Sequence, residues 1–185
     1  MSKIAIIVGS TRPGRKALDV ARWVHDIASK RGDAEYEIVD IAAFNLPIYD
    51  EPVPPAVGSY KHEHTQVWSE KIKGFDGYVF VTPEYNHSTT AALKNAIDYL
   101  YREWNDKAAG FVSYGSAGGT RAVEHLRQIV GELRMADVQA SVSLSLFHDF
   151  ENFSVLKPGE KQETSVNNML SQVVAWSGAL KTLRA

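Results

Sequence analysis

Apolar residues gather in five short runs, and each run is followed by apolar positions at helical spacing. Ile4 to Val8 is an unbroken apolar run, the pattern of a central parallel strand covered on both faces. Ala17, Val20, Ala21, Val24 and Ala28 then recur along one helical stripe, with Gly32 as its stop. Tyr36 to Ile41 predicts a second strand. Phe44 to Ser59 holds Pro47, Pro52, Pro54 and Pro55 and predicts an extended loop. Val67, Lys71 and Ile72 predict a short helix ending near Gly74. Tyr78 to Thr82 predicts a third strand, and Ala92, Leu93, Ala96, Ile97 and Leu100 stripe the helix after it. Gly110 to Tyr114 predicts a fourth strand, followed by a helix with Ala122, Leu126, Ile129, Val130 and Leu133 inward. In Val138 to Phe147, Val142, Leu144 and Leu146 alternate with Ser, which suits an outer, half-exposed strand. Val166, Met169, Leu170, Val173, Trp176 and Leu180 mark a closing helix.

Strict alternation of strand and helix predicts an α/β fold with a parallel sheet and helices on both faces. Five strands suggest the order 2-1-3-4-5 in a three-layer α/β/α sandwich. The 185 residues favour one domain, and no linker or internal repeat divides 1–185.

Composition narrows the function classes. A formal net charge of −2 gives no general attraction to nucleic acid or an anionic membrane. The chain has no cysteine, which excludes disulfides, thiolate catalysis and Cys-ligated metals. No apolar run reaches the length of a membrane span, and the expected location is the cytoplasm. His62-Glu63-His64 has the residue types of a metal site, but residues two apart on a helix do not share a face and no third ligand clusters with them. A solvated polar stretch is the better reading.

Candidate chemistry lies in three loops at the carboxyl ends of strands one, three and four, where open α/β sheets bind ligands. The first is Gly9-Ser-Thr-Arg-Pro-Gly-Arg15. Its glycines permit a tight turn, Ser10 and Thr11 offer hydroxyls, and Arg12 and Arg15 offer planar forks suited to phosphate. The following helix start, including the amide of Ala17, adds free N–H groups and a favourable dipole. The plain alternative is a glycine turn with two solvated arginines. The loop is neither Gly-x-Gly-x-x-Gly nor a nucleoside-triphosphate loop ending in Gly-Lys-Ser/Thr, so a monophosphate group fits it better.

The second loop, Pro83-Glu-Tyr-Asn86, supplies a rigid turn, an aromatic face and polar side chains. Its plain alternative is a turn capped by Ser88 or Thr89, with Glu84 a solvated carboxylate that no neighbour in sequence would perturb. The third, Ser113-Tyr-Gly-Ser-Ala-Gly-Gly119, is glycine-rich enough for backbone to approach a ring, or simply a flexible turn. One ligand with a phosphate at one end and a planar ring at the other explains all three together. Flavin mononucleotide (FMN) has that shape, and flavodoxin holds it at this switch point.

The chain resembles the NAD(P)H-dependent FMN reductase family, which includes chromate, azo-dye and quinone reductases of flavodoxin-like fold. The resemblance is carried by Gly-Ser-Thr-Arg-Pro-Gly-Arg (9–15), by Thr-Pro-Glu-Tyr-Asn-His-Ser (82–88) with Leu93-Lys-Asn-Ala-Ile-Asp98, and by Ser-Tyr-Gly-Ser-Ala-Gly-Gly-Thr-Arg-Ala (113–122). It implies that Ser10, Arg12, Arg15 and the Ala17 amide hold the FMN phosphate. It implies that Pro83, Glu84, Tyr85 and Asn86 line the isoalloxazine and ribityl chain, and that Ser113, Tyr114, Gly115 and Gly118 approach the ring's pyrimidine side. Many relatives have a small hydroxyl residue after the first arginine, where this chain has Pro13, Gly14 and Arg15.

The resemblance further implies NADPH or NADH as electron donor, a small-molecule electron acceptor, a ping-pong route and a homodimer or homotetramer. Tyr99, Tyr101 and Trp104, on a helix expected from Ser88 to Trp104, would then face either a partner or the core. It assigns no catalytic acid or base. The rival expectation is a non-enzymatic flavodoxin-type electron carrier or redox sensor. Such carriers are usually strongly acidic and lack paired arginines in the phosphate loop, whereas this chain has a pI near 6.3 and both Arg12 and Arg15.

Overall fold

β1 (Ser2–Val8) runs through the sheet interior, with Ile6 paired in parallel to Ile38 of β2 (Ala34–Asp40) on one side and to Val79 of β3 (Gly77–Pro83) on the other. β4 (Ala108–Gly115) pairs with β3, and β5 (Ala136–Ser145) closes the far edge. The computed structural model, which describes residues 1–184, thus has the parallel order 2-1-3-4-5. α1 (Ala17–Ala28), α2 (Glu63–Lys73), α3 (Ala91–Asp98), α4 (Thr120–Glu132) and α5 (Glu160–Leu180) cover its two faces.

The unbroken apolar strands follow from this layering. Ile4, Ile6 and Val8 point into a core with α1 and α5, while Ala5 and Ile7 point into the opposite core. β3 repeats the division, with Val79 and Val81 on the first side and Tyr78 and Phe80 on the second. The period-two alternation is hidden because both faces are buried.

Some elements differ from their sequence expectation. The Pro-rich segment is bracketed by two short 3-10 turns, Ile41–Phe44 and Pro55–Val57. α2 buries Trp68, and Val67 faces solvent. α3 stops at Asp98, well short of Trp104, and Thr90, not Ser88 or Thr89, caps it by accepting from Leu93 N. Tyr99 and Trp104 are fully buried and pack within the chain's own core, whereas Tyr101 is half-buried. Trp176 lies on the exposed side of α5, and the small Ser177 is buried instead because the helix lies close to the sheet there. β5 ends at Ser145, and a small antiparallel hairpin, β6 (Phe150–Glu151) and β7 (Val155–Leu156), intervenes before α5.

His62 is the residue before α2 and is extended, so its ring stacks on that of His64 at 5.2 Å instead of pointing away. Both rings hydrogen-bond Asp50, tying the Pro-rich segment to α2. Among the described residues no group of three His, Asp or Glu is placed to hold a metal ion, and no helix is long and apolar enough to cross a membrane.

Candidate functional site: three loops at one sheet edge

The first loop is clamped where it leaves β1. Gly9 N donates to Val81 O at 2.8 Å, and Thr90 Oγ1 donates to Gly9 O at 2.6 Å. A Cβ at Gly9 would lie 2.6 Å from Val81 O and 2.7 Å from Leu93 Cδ2, so only glycine fits. Beyond this clamp the two arginines part. Arg15 pairs with Asp40 at the end of β2 and donates to Ser10 O at 3.0 Å. Arg12 is exposed and has no ion-pair partner among the described residues. Lys16, at the start of α1, donates to Ser154 Oγ of the hairpin at 2.9 Å. No side chain caps the first turn of α1, and its first amide, that of Ala17, meets the Tyr114 phenol.

The second loop continues β3 and closes in a two-residue turn. Tyr85 and Ser88 exchange backbone hydrogen bonds at 2.9 and 3.1 Å, while Asn86 and His87 have φ of 48° and 76°. Left-handed geometry at both central residues is what such a tight turn requires. It leaves Tyr85 37% exposed, with its hydroxyl 3.4 Å from Ser10 Oγ.

Glu84 behaves differently from a solvated carboxylate. Its side chain is only 6% exposed and pairs with Arg121, whose Nε donates at 2.6 Å and whose backbone N donates at 3.2 Å. Burial alone would raise the carboxyl pKa; the Arg121 bonds and charge outweigh it and hold Glu84 below its ordinary value. The link joins the second loop to the first turn of α4.

The third loop folds back on its own strand. Ser113 Oγ and Ser143 Oγ both donate to Gly118 O, at 2.8 and 3.0 Å. Gly118 and Gly119 have φ of 71° and 74°. Tyr114 is buried under the first loop, where burial chiefly, and then Tyr85, push its phenol up, against a hydrogen bond from the Ala17 amide.

These loops enclose one cavity of about 330 Å³. Arg12 and Arg15 line it from the first loop, Pro83, Glu84 and Tyr85 from the second, and Tyr114 and Gly115 from the third. Ser10, Ala17, Asn86, Ser113 and Gly118 do not line it: Ser10 and Ser113 are buried beneath the loops, the Ala17 amide meets Tyr114, Asn86 is in the turn, and Gly118 is held by Ser113 and Ser143. Lys16, Leu146 and Phe153 line the cavity as well and were not anticipated. Lys16 adjoins Arg15 and was legible as a third cation, whereas nothing local marks Phe153.

Charge is distributed unevenly around this cavity. Arg12, Arg15 and Lys16 gather at the α1 end, while Glu84 is neutralised by Arg121. Aromatic and apolar groups, Tyr85, Tyr114, Leu146 and Phe153, make much of the remainder. A cationic end at a helix start and a flat apolar end suit a phosphate joined to a planar ring.

A family model described as NADPH-dependent FMN reductase matches residues 2–149. The chain belongs to this family. It is an oxidoreductase of a kind that works with FMN and takes electrons from NAD(P)H. It is similar to the NAD(P)H-dependent FMN reductase ntnL of Nectria sp, 40% identical over 174 residues, which cover 89% of this chain and 86% of the relative. The NAD(P)H-dependent FMN reductase C4B3.06c of Schizosaccharomyces pombe is 42% identical over 149 residues, covering 80% and 74%. A quinone reductase of Escherichia coli is 36% identical over 136 residues, 69% of each chain. Among solved structures, the flavoenzyme NAD(P)H:(acceptor) oxidoreductase FerB of Paracoccus denitrificans superposes with a TM-score of 0.76 at 21% identity, covering 97% of this chain and 98% of that one. The fold of this FMN reductase is therefore flavodoxin-like. The β6–β7 hairpin lies beyond the matched residues.

Proposed function

We propose that this FMN reductase holds FMN in the three-loop cavity and passes electrons by a ping-pong route to quinones, free flavin, azo compounds or metal oxyanions. The observation carrying this reading is the convergence of Arg12, Arg15 and Lys16 with Tyr85, Tyr114 and Gly115 on one cavity. When bound, FMN supplies the redox chemistry, taking a hydride from the nicotinamide and reducing the acceptor. The protein needs no nucleophile for this. Arg12, Arg15 and the first-turn amides of α1 other than that of Ala17 would bind the phosphate. Ser10 would support that loop through Arg12 N and the Tyr85 hydroxyl. Pro83, Tyr85 and Asn86 would shape one wall, with Glu84 holding it to α4 through Arg121. Ser113 and Gly118 would set the curvature that presents Tyr114 and Gly115 to the ring. Glu84 is assigned no proton-transfer role, because an ion-paired carboxylate with a lowered pKa is a poor base at neutral pH.

The free cation Arg12 beside Arg15 favours an enzyme over a flavodoxin-type carrier. The deciding experiment is turnover: purified protein, loaded with FMN, is assayed with NADPH and NADH against 1,4-naphthoquinone, chromate, an azo dye and free FMN. Parallel lines in double-reciprocal plots with at least one acceptor are expected. FMN retention without turnover on any pair would instead support the carrier or sensor. Assembly as a homodimer or homotetramer is the accompanying proposal, checked by light scattering. Tyr99 and Trp104 give it no support, since both are spent in the core.

A further inference from the structure

The hairpin after β5 is built to hold an aromatic surface at the cavity mouth. Its base is firmly set. Leu146 N donates to Gly115 O at 3.0 Å, bringing the chain against the third loop. Asp149 is buried, accepts from Ser145 N at 2.7 Å and from Gln162 Nε2 at 3.3 Å, and its carbonyl accepts from Lys157 N at 2.8 Å. Phe150 is buried with its ring 5.9 Å from that of Tyr114. Lys16 reaches across from the first loop to Ser154.

The tip is the opposite. Phe147 and Phe153 are each 61% exposed and pack edge to face, with ring centroids 5.5 Å apart at 87°. Asn152 and Phe153 have φ of 51° and 55°, the left-handed pair that a tight hairpin turn requires, closed by Ser154 N donating to Glu151 O at 3.0 Å. The turn carries the Phe153 side chain into the wall of the cavity.

We propose that Phe147 and Phe153 form the landing surface for a planar aromatic acceptor, a quinone ring, and so bias this enzyme toward aromatic over inorganic acceptors. The inference rests on the reading of the cavity as the FMN site. Loops two and three supply the inner wall for a retained ring. Phe153 lines the cavity while largely exposed, and Phe147 packs against it from outside, so a ligand that enters and leaves on each turnover would meet the pair from solvent. Edge-to-face and offset contacts with such a ring are favourable beyond simple area burial.

The test uses FMN-loaded wild type, Phe153→Ala, Phe147→Ala, the double variant and Phe153→Tyr. Binding of 1,4-naphthoquinone to the oxidised protein, without nucleotide, is measured by calorimetry. KM is measured for the same quinone and for ferricyanide with NADPH or NADH, alongside FMN content and mass by light scattering. Phe147→Ala, at a residue that does not line the cavity, should weaken quinone Kd and raise its KM by about threefold or more, leave ferricyanide turnover and FMN content within about twofold, and leave mass unchanged. Phe153→Ala should weaken quinone binding further, by about tenfold. Phe153→Tyr should restore quinone binding. Phe147→Ala keeps the turn and carries the test if Phe153→Ala does not fold. In Phe147→Ala, unchanged quinone binding, equal losses for both acceptors, lost FMN or a changed mass would each overturn the proposal; the last two would make the pair a cofactor wall or a subunit contact. Failure of wild type to bind FMN or to reduce ferricyanide is a different result, visible before any variant is made, and removes the cavity reading itself.

Discussion

Arg12 and Arg15 are the same residue type three positions apart, yet they have different work. Arg15 is held by Asp40 and Ser10 O, so its guanidinium is oriented before any ligand arrives. Arg12 stands free in solvent. Hydrogen bonds to a charged group contribute about 1.5 to 3 kcal/mol. Arg12→Ala should therefore weaken FMN binding roughly tenfold to a hundredfold with an unchanged melting temperature. Arg15→Ala should weaken FMN binding similarly and also lower stability by about 1 kcal/mol. Fluorescence titration and thermal melts separate the two, and unchanged FMN affinity in the double variant would remove the phosphate assignment.

Glu84 carries a pH signature at the same scale. Its folded pKa lies below the ordinary value of 4.5, so its stabilisation is present above that value and is lost as pH falls through the depressed folded value. Glu84→Gln should cost about 2 kcal/mol at neutral pH and flatten this acid limb in urea unfolding measured from pH 7 down to 3. The motif around Glu84 was readable in sequence, but its partner Arg121 was not, because the two are 37 residues apart.

At the scale of elements, the join between loop one and α3 positions the site. Thr90 both caps α3 and grips Gly9 O, and Gly9 is seated on Val81 O. Gly9→Ala places a methyl against a backbone oxygen that cannot move without shifting β3. The expected outcome is a loss of about 1 to 3 kcal/mol together with weakened FMN binding, measured by thermal melt and FMN titration. A variant with wild-type values for both would show that the clamp is dispensable. Most helices and strands were legible because their apolar spacing is local. α3 is shorter than expected because its apolar stripe continues into Tyr99 and Leu100 after the helix has ended, and both are buried regardless. Trp176 misleads for the opposite reason: it is large and apolar at a helical position, but α5 turns it outward.

For the molecule as a whole, the far end of the sheet holds the main titrating core group. Lys107 precedes β4, and its buried Nζ donates to Lys73 O at 3.1 Å and Tyr78 Oη at 2.9 Å. Burial, with Arg184 adding, pushes its pKa from 10.5 to about 7. Between those values the unfolded chain binds more protons than the folded one, so stability should rise with pH, by about 1 kcal/mol per unit. Urea unfolding at pH 7 and pH 9.5 checks the rise, and Lys107→Met should abolish it. The site lies at the other sheet edge, so FMN affinity should not follow this titration.

The sequence by itself determined the layers, the strand order and the loops that meet at one edge. Strand and helix periodicities are written in neighbouring residues, and alternating β and α elements leave a parallel sheet as the packed solution. Tertiary structure alone decided where the charged and aromatic side chains went. It sent Arg15 to Asp40, Glu84 to Arg121 and Lys16 to Ser154, across 25, 37 and 138 residues. It also brought Phe153 from a late hairpin into the cavity wall. The reason is physical: periodicity reports which face of a segment is buried, whereas the partner on the other side is set by how distant segments share an edge.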